Sequence, residues 1–261
     1  MLVVGENINA SNKTVGQAIA NRDAELIADL ARKQEAAGVD FIDVNAGLAQ
    51  GSWENPEAAM EWLVEVVQSV TDRPLIIDSD MPSVIGAGLG KYQGGTVMIN
   101  SVNAEVSRLH SVGRLAAEHR ALLVALATGE GAIPKRVEDR LAACVAIMST
   151  LKQMGISEEQ VFFDPLVIPI SVDTSQAIVT LKTIQGIKSR FPAAKTIVGL
   201  SNISYGLPNR DMVNRAFLTM AVAVGLDAAI LNPLDAKMMS HVKMADMLMG
   251  KDLACRAFIR A

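Results

Sequence analysis

Aromatic side chains are scarce, at 4% of the 261 residues, so few faces are available for stacking on bases or sugars. Both tryptophans, Trp53 and Trp62, fall in helical or loop contexts, which argues against a sugar-stacking glycosidase. Positive charge is not in surplus either. The 24 basic residues against 28 acidic ones give a net charge of −4 and a pI near 5.5, which excludes a protein that tracks nucleic-acid phosphates. The only cysteines, Cys144 and Cys255, lie far apart without a CxxC spacing and read as reduced thiols of a cytoplasmic chain. Three histidines, His110, His119 and His241, stand in helical stretches without ligand spacing. No His/Cys zinc site can be assembled from them, and none falls at a strand end where a Ser–His–Asp triad would need it. No apolar run approaches the roughly 18 residues of a membrane span. The start, Met1-Leu2-Val3-Val4-Gly5-Glu6, lacks a basic segment and reaches a carboxylate too early for a signal peptide.

What the sequence has is apolar residues, half of the total, with a mean hydropathy of +0.28, ample for a large core. No Pro/Gly/Ser-rich linker, charge block or low-complexity stretch divides it, so residues 1–261 are expected to form one domain. Short apolar or β-branched runs alternate with longer stretches of helical period. The spacing predicts strands over residues 2–7, 41–45, 74–78, 96–100, 122–127, 161–164, 196–201 and 228–232. Helical stretches lie between them, among them 23–37, 56–70, 104–118, 135–154, 174–188, 209–224 and 238–249. Asp23 suits an N-cap and Gly38 a left-handed C-terminal cap. Strands with continuous apolar runs are those whose two sheet faces are both covered. Eight such β/α units in this length point to an α/β protein of the (β/α)8 barrel type; a doubly wound sheet shares the alternation.

Seven of the eight apolar runs end in Asp, Asn or Glu: Glu6-Asn7, Asp43 and Asn45, Asp78, Asn100, Asp164, Asn202 and Asn232. In a barrel this end is where the βα loops build the site. Helix caps and turns account for some acids and amides at such places, and Asp80 and Asn209 fit that role. Asp43, Asp78, Asn100 and Asp164 follow directly on apolar residues and should be half-buried, where a carboxylate needs donors to offset desolvation. There is no basic cluster for a phosphate, no GxGxxG after a strand and no P-loop. Acids and amides suit a neutral heterocycle with its own donors and acceptors, since one carboxylate accepts two N–H bonds from an aminopyrimidine-like edge.

The segments Gly5-Glu6-Asn7-Ile8-Asn9, Asp43-Val44-Asn45-Ala46-Gly47, Ile77-Asp78-Ser79, Met98-Ile99-Asn100-Ser101-Val102-Asn103, Phe163-Asp164-Pro165-Leu166 and Gly199-Leu200-Ser201-Asn202-Ile203-Ser204 together resemble the pterin-binding methyltransferases. Among these they are most similar to the methyltetrahydrofolate:corrinoid protein methyltransferases, in order and over essentially the whole length. The resemblance implies a (β/α)8 barrel, usually a homodimer, that binds tetrahydrofolate or 5-methyltetrahydrofolate in its polar mouth. It implies transfer of a methyl group between N5 of the pterin and the cobalt of a corrinoid (cobalamin) carried by a separate protein, with no metal bound by this chain. By the same resemblance Asp78, Asn100 and Asp164 hydrogen-bond the pterin ring, and Asn202 is a mobile group that approaches N5. Asp43 and Asn45 complete the floor, and Glu6, Asn7, Gly199 and Ser201 belong to the same rim. Arg210 meets the pterin edge or folate tail, or makes a surface salt bridge. The segment 205–209 and Asn232-Pro233-Leu234-Asp235 look more like the methyltransferases of demethylating corrinoid systems than like the carbon-fixation enzyme.

Methyl transfer from N5 requires an amine to leave, and an amine leaves poorly as an anion. N5 must therefore gain a proton or strong hydrogen bond as its bond to carbon breaks. The Asn202 carboxamide can donate to N5, while Asp43 and Asp78 relay or polarise the proton. Corrinoid domains carry an Asp-x-His-x-x-Gly pattern; here Arg108-Leu109-His110-Ser111-Val112-Gly113 has arginine for the aspartate and lies in a helical stretch, so the cobalt carrier is expected on a partner. Two alternatives remain. A dihydropteroate synthase-like transferase would need a cation near the end of strand seven, where Lys195 instead precedes the strand. A non-catalytic folate-binding scaffold for a corrinoid protein would have no need of Asn202.

Overall fold

A computed structural model describes residues 1–47 and 55–259 of the chain; Trp53 lies outside the described residues. In chain order the elements are β1 (Leu2–Asn9), α1 (Lys13–Ala20), α2 (Ala24–Ala36), β2 (Phe41–Asn45), α3 (Pro56–Gln68), β3 (Leu75–Asp78), α4 (Pro82–Lys91), β4 (Val97–Val102), α5 (Val106–Glu118), β5 (Leu122–Leu126), α6 (Val137–Gln153), β6 (Val161–Asp164), α7 (Gln176–Arg190), β7 (Lys195–Gly199), α8 (Arg210–Ala223), β8 (Ala228–Leu231), α9 (Ala236–Leu248) and α10 (Arg256–Ile259). The eight strands pair in parallel in sequence order, and β8 closes onto β1 through Leu2↔Ala228 to Gly5↔Leu231. The fold is the (β/α)8 barrel. Among the described residues no helix is long and apolar enough to cross a membrane.

Two cores account for the unbroken apolar strands. Alternate residues such as Val3, Ile42, Ile77, Ile99, Phe163 and Val198 pack outward against the helices. The intervening ones face the barrel axis, where Val4, Phe41, Ile76, Met98, Val124, Phe162, Ile197 and Ala228 meet, one from every strand. This layer is an apolar plug that closes the barrel below the site.

Asp23 caps α2 as expected, its side chain accepting from Leu26 N, and Asn12, Asn55 and Asp235 likewise accept from backbone N–H groups in the first turns of α1, α3 and α9. Two expectations about caps fail. Asn209 precedes α8 in a left-handed conformation without a side-chain cap bond, and Asp80 lies before Met81, the residue at the α4 N-cap. Helices α1 and α4 were not among the stretches expected from period. α1 is only eight residues long, and three glycines in α4 dilute its signal. One of them has a packing reason: a Cβ at Gly88 would meet Met60 Cγ at 2.8 Å and Ile77 Cγ2 at 2.9 Å, so only glycine lets α4 lie this close to the barrel. Strand bounds also move. β1 runs on to Asn9, and β7 stops at Gly199, leaving Ser201 and Asn202 on a 3₁₀ turn, Leu200–Ser204, instead of the strand expected over 196–201.

Candidate active site

Side chains two positions apart on a strand share a face. Two residues beyond each plug position, the next inward layer is therefore Glu6, Asp43, Asp78, Asn100, Leu126, Asp164, Gly199 and Ile230. Three carboxyls and an amide occupy the contiguous arc β1–β4, Asp164 stands apart on β6, and β5, β7 and β8 present no polar side chain. Asn45↔Asp78 and Asp78↔Asn100 are lateral neighbours in register, which sets the Asn45 Nδ2 to donate to Asp78 Oδ2 at 2.8 Å. Asn45 Oδ1 in turn accepts from Gly47 N at 2.7 Å, so the amide has a fixed orientation.

Asp43 is 2% exposed, and its Oδ1 has no hydrogen-bond partner among the described residues. Burial pushes its pKa well above the ordinary carboxylate range; the charge of Asp78 and, less so, Glu6 push the same way, opposed by the Asn100 side chain. Asp78 is raised to about 6, chiefly by burial, against the Asn45 hydrogen bond. Glu6 is raised by burial and lowered by Arg210 and a Ser201 hydrogen bond. Asp164 also reaches about 6 through burial, opposed by the Leu166 N–H and the charge of Arg140. Among the described residues no lysine or arginine forms an ion pair with any of these carboxyls.

The β1–β7–β8 side forms a second group. Asn7 Nδ2 donates to Asn232 Oδ1 at 3.0 Å, and a cavity of about 310 Å³ is lined by Glu6, Ser201, Arg210, Asn214, Asn232 and Asp235 among others. Among the described residues Arg210 makes no salt bridge. Its Nη2 donates to Ser201 O at 2.8 Å and its Nε to Ser204 Oγ at 3.1 Å, tying the 3₁₀ turn to the start of α8. Asn202 is exposed, and its side chain makes no hydrogen bond among the described residues. It lies close over the strand end, with its Nδ2 3.0 Å from where a Cβ of Gly199 would be. Glycine at the tip of β7 thus leaves room for the Asn202 amide over the strand end.

Three polar residues that the sequence reading passed over hold this frame. Gln34 of α2 is fully buried, and its Oε1 accepts from Asn7 N at 3.1 Å beside the irregular β1–β2 register between Gly5 and Ile8. A Cβ at Gly5 would press on that oxygen, so a larger residue where the strand bends requires the Gln34 side chain to shift. Arg108 of α5 donates to Asp80 O, Ser79 O and Ser101 O, joining the ends of β3 and β4 in the place where the corrinoid pattern would have aspartate; His110 is exposed on the same helix. Arg140 backs Asp164. A lone polar residue on an otherwise apolar helix face was the available signal for Gln34; neither arginine differs in local pattern from a surface one.

Carboxylates and amides in this arrangement offer acceptors suited to a neutral, N–H-rich ligand, and burial raises the pKa of each of the carboxyls. It does not suit a phosphate: Lys195, at the opposite end of β7, places its Nζ over the Phe162 ring at 5.2 Å. Among the described residues no group of three or more His, Cys, Asp and Glu side chains could hold a metal ion.

The chain is similar to known proteins in sequence and fold. The methylcorrinoid:tetrahydrofolate methyltransferase of Eubacterium limosum is 32% identical over 268 residues, covering 100% of this chain and 96% of that protein. Methionine synthase of Mycobacterium leprae (strain TN) is 31% identical over 245 residues, covering 89% of this chain but 20% of the synthase, so the chain spans about a fifth of that protein. Among solved structures, a dihydropteroate synthase from Coxiella burnetii in complex with pteroic acid superposes with a TM-score of 0.72 at 12% identity, over 95% of this chain and 93% of that one. The enzyme from Xanthomonas albilineans with 7,8-dihydropteroate gives 0.67 at 16%, over 95% and 92%. At such identities the likeness is one of fold. The family described as pterin binding enzymes matches residues 5–232, and on that match, with full-length similarity to one of the methyltransferases, the chain belongs to the pterin-binding enzyme family.

Proposed function

We propose that the chain is a methyltransferase that moves a methyl group between N5 of tetrahydrofolate and the corrinoid of a separate protein. The observation that carries this reading is the inward layer of Glu6, Asp43, Asp78, Asn100 and Asp164 above an apolar plug, with Asp43 Oδ1 buried and unpartnered. A buried acceptor without a donor costs about 1–3 kcal/mol, which a ligand N–H or ordered water offsets. The pterin headgroup has the matching chemistry: an aminopyrimidine edge with adjacent N–H donors for Asp164, and further donors and acceptors for Asp78 and Asn100. Asn45, Asn7, Ser201, Gly199 and Arg210 shape the remaining rim.

The corrinoid, as co-substrate, supplies or accepts the methyl group. Transfer to tetrahydrofolate, the direction for which the Eubacterium relative is named, forms a bond from N5 to carbon and frees the N5 proton. Asp43, as the carboxylate, takes that proton directly or through Asp78 and ordered water; in reverse the protonated Asp43 returns it, so that N5 leaves as a neutral amine. A carboxyl held well above its ordinary range is matched to both duties near neutral pH. Asn202, free of competing bonds, orients N5 and strengthens its contact as charge changes there. The barrel mouth must stay accessible to a docking protein, and Asn202 on its exposed turn is compatible with this. The reading carries with it one domain over residues 1–261, a homodimer and a cytoplasmic location.

The test is a methyl-transfer assay with tetrahydrofolate and a methylcorrinoid protein, alongside calorimetry with tetrahydrofolate. Formation of methyltetrahydrofolate supports the reading. Binding without turnover would leave a folate-binding scaffold, and absence of both would sink it.

A further inference from the structure

Arg140, near the start of α6, is completely buried and forms no ion pair among the described residues. Its Nε donates to Pro134 O at 3.0 Å. Nη1 donates to Pro165 O and Leu166 O, both at 2.8 Å, and to Thr180 Oγ1 at 3.3 Å, and Nη2 donates to Gln176 Oε1 at 2.7 Å. Burying a guanidinium costs several kcal/mol, and an apolar side chain of the same volume would fill the space at less expense. The position of the fork shows what the charge does instead. Pro165 and Leu166 directly follow Asp164. Leu166 has φ +67°, a left-handed conformation that leucine rarely adopts and that persists only when its surroundings hold it. In that conformation Leu166 N donates to Asp164 Oδ1 at 2.8 Å while its carbonyl turns back to Arg140 and to the Thr180 hydroxyl, which donates to it at 2.8 Å. Among the described residues Asp164 Oδ2 carries no hydrogen bond.

We infer that Arg140 is a positioning residue for folate recognition: through the carbonyls of Pro165 and Leu166 it fixes the Asp164 carboxyl so that Oδ1 is committed to the chain and Oδ2 is presented to the ring's N–H donors. The inference rests on the folate reading of the mouth and adds to it a residue that never touches the ligand. Arg140 also keeps Asp164 ionised, since its charge opposes the rise that burial causes. The titratable groups that interact with Asp164 are Arg140 and the Cys144 thiol, both from α6. β5 brings none, Lys195 of β7 stands at the far end of its strand, and Asp173 is turned to Gln176.

The experiment compares Arg140→Met, Arg140→Lys and Thr180→Val with the full-length wild type. In the ligand-free protein the Asp164 carboxyl, assigned with Asp164→Asn, is titrated by ¹³C NMR. Its midpoint near pH 6 should rise by about one pH unit in Arg140→Met and stay in place in Arg140→Lys and Thr180→Val. Tetrahydrofolate calorimetry at pH 7 should show binding weakened about 10-fold or more in Arg140→Met and about 3-fold in the other two, each of which loses part of the fork but not the charge. An unchanged midpoint together with unchanged affinity, with only the Tm lowered, would mean Arg140 merely stabilises the fold and would overturn the inference. Should Arg140→Met not fold, loss of affinity in both Arg140→Lys and Thr180→Val still supports it, and wild-type affinity in both refutes it. A wild type that binds no folate defeats the folate reading, whereas the NMR titration decides separately whether Arg140 governs Asp164.

Discussion

Asp43 and Asp164 occupy equivalent places in the same inward layer, yet their surroundings differ in kind. Around Asp43 the neighbours are other acids and an amide, and one oxygen has no partner. Behind Asp164 a backbone N–H and a buried guanidinium set the carboxyl in place. Burial raises both, but only Asp164 has a cation to oppose it, and it stops at about 6. One carboxyl is therefore suited to hold and release a proton, the other to remain an oriented acceptor. A ring of acids at a barrel mouth divides its labour through what stands behind each acid.

The largest effect that would test this division is on binding. Asp164→Ala removes two charge-assisted acceptor sites and should weaken tetrahydrofolate binding about 1,000-fold or more by calorimetry; an unchanged affinity would erase its acceptor role. Asp43→Asn keeps the shape and loses the transferable proton, so the methyl-transfer rate should drop about 300-fold while affinity moves only a few-fold. Were rate and affinity to fall together, Asp43 would be an acceptor like Asp164 and the comparison would dissolve. Asn202→Ala should lower kcat about 100-fold with a smaller change in affinity, as expected when an interaction strengthens in the transition state; equal losses refute that role.

The smallest effect is on stability. The folded state holds the Asp164 proton up to about pH 6, while an unfolded aspartate releases it near 4, so between these values the folded protein binds more protons. Stability contributed by this group is thus complete below pH 4 and lost as pH rises to 6. Asp164→Asn escapes the loss, and its Tm at pH 8 should exceed that of the wild type by about 4 °C, the gap closing by pH 4 in a thermal melt series. A constant gap would show that charge burial is not its cause.

Much of this was legible from period two and its polar terminations. Asp43, Asp78, Asn100 and Asp164 stand out because each interrupts an apolar run, and the structure places all four in one layer with Glu6. The end of β7 was not legible: Leu200 prolongs the apolar run past Gly199, although the chain has already turned, so Ser201 looked like strand and Asn202 like the residue just beyond its tip. Asp80 and Asn209 have the chemistry of caps but not the bonds, since a cap depends on the local path of the chain as well as on residue type. Arg108 and Arg140 were hidden for another reason. What they bind is backbone carbonyl, which every residue has, and no pattern in the side chains records where two loops will meet.

The tight fit between Gly5 and the Gln34 carbonyl has a consequence for substitution at either residue. Adding a single methyl group at residue 5 would collide with a side chain from a different element, and shortening residue 34 would leave the Asn7 amide without its acceptor. The two positions are coupled: a larger residue at 5 forces the Gln34 side chain to shift, and that shift disturbs the acceptor of the Asn7 amide, tying the first strand to α2.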